Sequence, residues 1–123
     1  MNNDSTAEPV ADGYWGTRTT WMLQGILGAM MGDGGEIVSQ PVSNRKFLGA
    51  CTKGWEFVDD DKAVGSYAIA MLQNRIGVFD DGIMGPVTIK ALEEWYGVDG
   101  GGKLDAPSPV VEAMQRALQR GEF

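Results

Sequence analysis

A chain of 123 residues and 13.2 kDa has the size of one small domain. Ten basic against seventeen acidic residues leave a formal charge of −7, which argues against nucleic acid and anionic membrane as partners. The absence of histidine excludes Ser-His-Asp and Cys-His nucleophiles, histidine-ligated zinc and a histidine general base, so only a carboxylate pair of the glycosidase kind is left for catalysis.

Residues 1–11 read as a polar tail or linker, and 12–123 as the domain. The tail has neither the basic nor the apolar region of a secretion signal, and no stretch of the chain reaches the roughly 18 apolar residues that a bilayer crossing needs. The chain is expected to be made without a signal of its own.

An Asp12-Gly13 turn leads through Gly16 into a helix predicted over 17–27, with Thr19, Met22, Leu23 and Ile26 inward. Trp21 falls about 150° around that helix from the inward stripe, at roughly 100° per residue. An outward tryptophan points to a ligand or partner surface, the alternative being packing under the 29–55 segment. Residues 35–41 (GEIVSQP) and 54–58 (GWEFV) have the β-branched and aromatic content of short strands, too short for an independent sheet. Cys51, the single cysteine, reads as a small buried hydrophobe. Asp59-Asp60-Asp61 begins like a calcium loop, but its sixth position is Val64 and its twelfth Ala70, so it reads as a solvated acidic turn.

Ser66 is placed to cap a helix over 67–76, with Ile69, Leu72 and Ile76 inward and Gly77 at its end. Asp80-Asp81-Gly82 supplies a tight reversal, and Gly85-Pro86 opens a helix over 86–96 closed by Gly97. On it Thr88, Ala91, Leu92 and Trp95 make the inward stripe, while Lys90, Glu93 and Glu94 face away. Gly100-Gly101-Gly102-Lys103 has no preceding strand and no following Ser or Thr, and reads as a flexible connector instead of a phosphate loop. A last helix over 109–120 carries Val111, Met114 and Leu118 on one stripe. No cofactor and no metal are expected.

Residues 12–28 and 81–97 repeat at an offset of 69: Asp12, Gly13, Gly16, Thr19, Leu23 and Gly28 recur as Asp81, Gly82, Gly85, Thr88, Leu92 and Gly97. Fainter echoes join 66–77 to 108–119 and 32–44 to 99–111. A shared backbone constrains turn positions most, which marks Asp12, Gly13, Gly16, Asp81, Gly82, Gly85, Pro86 and Thr88 as structural turn residues. The expected fold is mainly α: a compact pseudo-repeat of helix-turn-helix units, about four short helices, with short extended or β-hairpin connections. The first unit lacks a leading helix and the last helix lacks a trailing one. Helix 109–120 is therefore expected to close on helix 17–27, within one chain or as a swapped dimer.

The run from Ala70-Met71-Leu72-Gln73 through Asp81-Gly82-Ile83-Met84-Gly85-Pro86-Val87-Thr88 to Ala91-Leu92 resembles the peptidoglycan-binding repeat of bacterial and phage cell-wall hydrolases. With the GW-aromatic segment in mid-chain and the closing SPVVEAMQRALQRG, the layout over roughly 12–121 is similar to the tandem cell-wall-binding region of phage endolysins. The first copy departs from the pattern in having Thr17 where proline is usual and Gly25 inside the helix. The resemblance implies a non-catalytic module for bacterial peptidoglycan, glycan or stem peptide, in Gram-positive walls. It also implies an upstream lysozyme or amidase domain, and a protein made in the host cytoplasm that acts at the wall.

Glycan recognition stacks aromatic faces on sugar C–H faces and bonds hydroxyls with polar side chains. Tyr14, Trp15, Arg18, Trp21, Gln40, Asn44, Trp55 and Tyr67 are the candidate ligand-binding residues on that ground. Tyr14 and Trp15 can instead close the small core, and Trp55 can face either way. Gln73 and Gln115 read as helix-face hydrogen bonders or as ligand contacts. Two other functions stay open: an interaction or assembly module of a lysis protein, and a minimal glycosidase using Glu93 with Glu94 or Glu36 with Glu56.

Overall fold

A computed structural model describes residues 11–28 and 34–123. The tail, apart from Ala11, and the first two residues of the 32–44 echo lie outside the described residues. The chain is mainly helical: α1 (Thr17–Leu27), α2 (Tyr67–Ile76), α3 (Pro86–Tyr96) and α4 (Pro109–Gln119), with two strands, β1 (Ile37–Pro41) and β2 (Trp55–Val58), and 3-10 turns at Val42–Phe47 and Asp60–Lys62.

Local chemistry sets the helix ends. Ser66 and Ser108 each accept from the amide three residues on, Ile69 at 3.4 Å and Val111 at 3.1 Å, so α2 and α4 start on side-chain caps. Neither Gly16 nor Gly85 has such a group to offer α1 or α3, and α3 begins instead on Pro86, whose missing N–H is lost at no cost there. Gly28, Gly77 and Gly97 end α1, α2 and α3 in the left-handed conformation.

The strands pair parallel, Ile37 beside Trp55, Gln40 beside Phe57 and Pro41 beside Val58. This corrects the hairpin alternative, since a hairpin is antiparallel by construction. Residues 42–54 are long enough for the crossover of about a dozen residues that parallel strands require, and composition alone carries no strand direction. The register slips between Ile37 and Gln40, where Ser39 takes φ 56°.

The helices pack in a cycle: α1 on α2, α2 on α3, α3 on α4 and α4 on α1. Leu23, Ile69, Leu72, Ile89, Leu92, Met114 and Leu118 fill the centre, joined by Ile37, Leu48 and Leu104 from the connections. The inward stripes of α1, α2 and α4 agree with the pattern read from sequence, with Met22, Ile26 and Ile76 half-buried at their edges.

The stripe of α3 does not agree. It runs through Thr88, Ile89 and Leu92 to Tyr96, and Trp95 stands 45 % exposed with its ring 6.0 Å from that of Phe123. The buried arc of α3 is rotated toward Ile89 and Tyr96, which leaves Trp95 on its rim. Nor does Glu93 face away: its carboxylate accepts from the amides of Gly100, at 3.2 Å, and Gly102, at 2.7 Å. The glycine run is tied to α3 by these bonds, where a free connector had been expected.

Candidate functional site

Two corners of the molecule share one hydrogen-bond pattern. At the first, α2 meets the turn before α3: Gln73 Nε2 donates to Asp81 Oδ1 at 3.0 Å, to the Ile83 carbonyl at 2.9 Å and to Thr88 Oγ1 at 2.9 Å, while Gln73 Oε1 accepts from the Gly82 amide at 2.8 Å. At the second, α4 meets the turn before α1: Gln115 Nε2 donates to Asp12 Oδ1 at 3.3 Å, to the Tyr14 carbonyl at 2.8 Å and to Thr19 Oγ1 at 2.9 Å, and Gln115 Oε1 accepts from the Gly13 amide at 2.9 Å. Each aspartate also accepts from the amide two residues on, Ile83 at 2.9 Å and Tyr14 at 3.0 Å. Both glutamines are buried with Nε2 and Oε1 hydrogen-bonded, which makes them clamps, and each also borders the hollow beside its corner.

The glycine of each turn is required twice over. Gly13 and Gly82 take φ 83° and 77°, and a methyl group on either would sit 2.9 Å or less from the capping serine of the facing helix, Ser108 or Ser66. Their carbonyls accept from the Ser108 and Ser66 amides, both at 2.9 Å. Asp12, Gly13, Gly16, Asp81, Gly82, Gly85, Pro86 and Thr88 all lie in or beside these two turns.

Each corner opens into a hollow at the first turn of its second helix. Beside α3 a cavity of about 320 Å³ is walled by Asp81, Ile83, Pro86, Val87 and Asn44, with Phe79 at its lip. Beside α1 one of about 500 Å³ is walled by Asp12, Tyr14, Thr17, Arg18, Thr52 and Lys53. A third hollow of about 380 Å³ lies between Glu36, Gly54, Trp55 and Glu56. Lys53, which lines the second hollow, and Gly54, which lines the third, are consecutive. A methyl group on Gly54 would lie 2.9 Å from Thr17 Oγ1 and from the Gly35 carbonyl, so the backbones here are in close contact.

The eight ligand-binding candidates divide. Tyr14 (42 % exposed) and Arg18 line the cavity at α1. Trp21 is 52 % exposed and also rests an edge of its indole on Gly35, where a methyl group would meet Nε1 at 2.6 Å. Trp21 is thus half exposed and half packed on the start of the 35–41 segment. Trp55 lines the third hollow, half-buried, its indole N–H donating to the Trp15 carbonyl at 3.2 Å and its ring edge-on to Trp15 with centroids 5.1 Å apart. Asn44 borders the α3 cavity and donates to the Met84 carbonyl at 3.1 Å. Tyr67 is exposed on the first turn of α2, away from these three hollows.

Trp15 and Gln40 must be corrected. Trp15 is wholly buried, its indole N–H donating to Thr20 Oγ1 at 2.8 Å, because the indole is the plug of the small core beneath α1. Gln40 is wholly buried too, accepting from the Met84 amide at 2.8 Å and donating to the Gly82 carbonyl at 2.9 Å. It braces the turn of Asp81 and Gly82 and cannot reach a ligand.

The reading from sequence overlooked Phe79, Val87, Thr17, Thr52 and Lys53, which also line the hollows. Phe79 carried a signal, being an aromatic ring immediately before the Asp-Gly turn with no helical stripe to join. The rest became visible only when distant segments met.

Among the described residues, no group of three or more His, Cys, Asp or Glu is arranged to hold a metal. Burial pushes the Cys51 thiol well above its ordinary range, which keeps it protonated and poorly nucleophilic at neutral pH. The Ser43 hydroxyl and then the Ser43 amide, at 3.0 Å, donate to Asp60 and hold its carboxyl below the usual range in an exposed turn. Comparison of the chain with protein-family models, with curated proteins and with solved structures returned no match.

Proposed function

We propose that the chain is a non-catalytic cell-wall-binding module, built from two copies of one helix-turn-helix unit and serving to hold a peptidoglycan hydrolase on the bacterial wall. One observation carries this: two hollows lined by the consecutive residues Lys53 and Gly54 hold Tyr14 and Trp55, and the half-exposed Trp21 stands one helical turn beyond Thr17 of the first. A glycan strand needs flat apolar faces alternating with hydroxyl-bonding groups on a rigid floor. The linings of the two hollows offer two aromatic rings, Tyr14 and Trp55, together with Thr17, Arg18, Thr52 and Lys53.

The test is sedimentation of the pure chain with Gram-positive cell walls. The chain is expected to pellet with walls without clearing them. Trp21→Ala is expected to lose roughly 1 to 3 kcal/mol of wall binding, as a central aromatic does, at a stability cost under about 1 kcal/mol. Unchanged partitioning of the Trp21 variant, or a wild-type chain left in the supernatant, would sink the reading.

A glycosidase has one observation in its favour, that Glu36 and Glu56 line the hollow beside Trp55. Both are exposed, whereas a general acid needs an apolar setting that keeps it protonated. Wall solubilisation abolished by Glu36→Gln or Glu56→Gln would favour that reading instead.

A further inference from the structure

The cavity at the head of α3 is walled by Ile83, Pro86, Val87 and Phe79, of which Val87 and Phe79 stand 73 % and 81 % exposed. Its volume of about 320 Å³ lies at the lower end of small-molecule pockets, which run from about 300 to 1,000 Å³. On the other clamp Tyr14, Thr17 and Arg18 hold the positions of Ile83, Pro86 and Val87, so the apolar wall belongs to this corner and not to the clamp itself. An apolar wall left open to water at one of two matching turns calls for a ligand with an apolar face.

The polar part of the lining says what that ligand carries. Asp81 Oδ1, the Ile83 carbonyl and Thr88 Oγ1 all accept from Gln73 Nε2, at 3.0, 2.9 and 2.9 Å, so three oxygens converge on one nitrogen. Asp81 Oδ1 accepts from the Ile83 amide as well, at 2.9 Å, which fixes its carboxylate at the edge of the apolar wall. Among the described residues that line the cavity, Asp81 is the one with a formal charge. Arg45 and Lys46, which follow Asn44, lie over the rings of Phe57 and Phe47 at 5.1 and 5.3 Å. The exposed Asp80 and Lys90 flank the 81–88 segment with opposite signs, and neither lines the cavity. From this, and resting on the wall-binding reading above, we infer that the α3 cavity seats a primary alkylammonium group, the free amine of a stem-peptide diamino acid. Its hydrocarbon chain lies against Phe79, Ile83, Pro86 and Val87, and its ammonium turns to Asp81. An anion there would meet a carboxylate, while an amino sugar or an ester-linked alanine carries its amine on no hydrocarbon chain. Cross-linking turns the stem amine into an uncharged amide, so the cavity selects stems that are not yet cross-linked.

The experiment is quantitative sedimentation of the full chain with a Gram-positive wall rich in uncross-linked stems, in three forms. One is untreated, one is stripped of esters by mild base, and one is so stripped and then N-acetylated with acetic anhydride. Wild type should bind the first two alike and the acetylated wall about 3- to 10-fold more weakly, the effect of a charged hydrogen bond at a partly open site. Asp81→Asn keeps an oxygen for Gln73 Nε2 and the Ile83 amide but removes the charge. It should bind the untreated wall as wild type binds the acetylated one, and show no response to acetylation. Asp12→Asn, the same change on the other clamp, should keep the wild-type response. Val87→Lys, an exposed change outside the clamp, puts a like charge at the mouth and should give the loss seen with Asp81→Asn. In competition, Nα-acetyl-lysine amide should release the chain from the untreated wall, whereas Nα-acetyl-norleucine amide and glucosamine should not. Undiminished binding of wild type to the acetylated wall, or an Asp81→Asn chain that responds like wild type, would overturn the amine site and leave the wall-binding reading intact. A loss already complete after base treatment would overturn it in favour of an ester-linked amine, and release by glucosamine in favour of an amino sugar. Failure to pellet with any of the three forms would overturn both readings. If Asp81→Asn lowers the melting temperature, Val87→Lys and the acetylation series on the unaltered chain still decide the matter.

Discussion

The corner between α2 and α3 and the corner between α4 and α1 hold their turns with the same bonds, but they join very different lengths of chain. Gln73 and Asp81 are 8 residues apart, whereas Gln115 and Asp12 are 103 apart. Loop-closure entropy makes the longer connection costlier by about 2 kcal/mol, a cost the α4 contacts must offset. One clamp is a local event, and the other can form only when the chain ends meet. Their supports differ as well. The turn before α3 is braced by side chains, Gln40 on the Met84 amide and Asn44 on its carbonyl. The turn before α1 is braced by backbone, the Trp15 amide donating to Ala50 at 2.7 Å and its carbonyl accepting from Thr52 at 2.9 Å. The same turn geometry can thus be held by different chemistry, as long as every buried amide and carbonyl finds a partner.

The harshest way to break this comparison is to remove α4. Deleting 108–123 strips Val110, Val111, Met114 and Leu118 from the core and leaves Gly13, Tyr14 and Thr19 without their glutamine. The expected outcome is loss of a cooperative thermal transition by circular dichroism, with aggregation through the uncovered face of α1. A truncated monomer that melts at the wild-type temperature would mean that the closure between the chain ends contributes nothing.

A finer comparison replaces each clamp by a side chain of similar size. Gln73→Leu and Gln115→Leu each leave a buried amide, carbonyl and hydroxyl with a partner missing, and each is expected to cost about 2 to 4 kcal/mol in urea denaturation. Their kinetics should separate them. The local Gln73 clamp is expected to form early, so its loss slows folding, while loss of Gln115 chiefly speeds unfolding. Equal φ values at the two positions would show that sequence separation does not order their formation.

The difference in separation also explains what could be read from sequence. All four helices were legible to within a residue, since each end is written locally in serine, proline and glycine, as in Ser66 with Gly77. The turn residues were legible too, because a left-handed glycine beside an aspartate has few other uses. The α3 stripe went wrong at Trp95 because apolar residues stand on both sides of Leu92, Ile89 and Tyr96 on one and Trp95 on the other, and a helical period alone does not say toward which the buried arc is rotated. Gln40 was misplaced for a related reason, whereas Trp15 took the core place that was one of its two readings. A glutamine in a short strand looks available until the Gly82 carbonyl and Met84 amide, more than forty positions on, are brought to it. Of the site, Tyr14, Arg18, Trp21 and Trp55 were chosen for their chemistry. Lys53 was overlooked because its place depends on the crossover between two parallel strands.

The mildest test moves one corner toward the other. Thr17 and Pro86 hold the same position at the head of α1 and α3. Gly16 precedes Thr17 with φ −108° and ψ −165°, the extended backbone that a following proline prefers, and the first helical amide has no intrahelical partner to lose. Thr17→Pro should therefore stabilise the chain by restricting its unfolded state, by about 0.4 to 1 kcal/mol at most. The Thr17 side chain works against this. A methyl group on Gly35 would lie 2.8 Å from its Cγ2, and one on Gly54 2.9 Å from its Oγ1, so the threonine fills the seam between α1 and the β1–β2 region. The expected net effect is a rise in melting temperature of roughly 2 °C. A fall instead would show that the head of α1 is fixed by this seam more than by its own backbone, and that the two corners diverged in their packing as well as in their cavities.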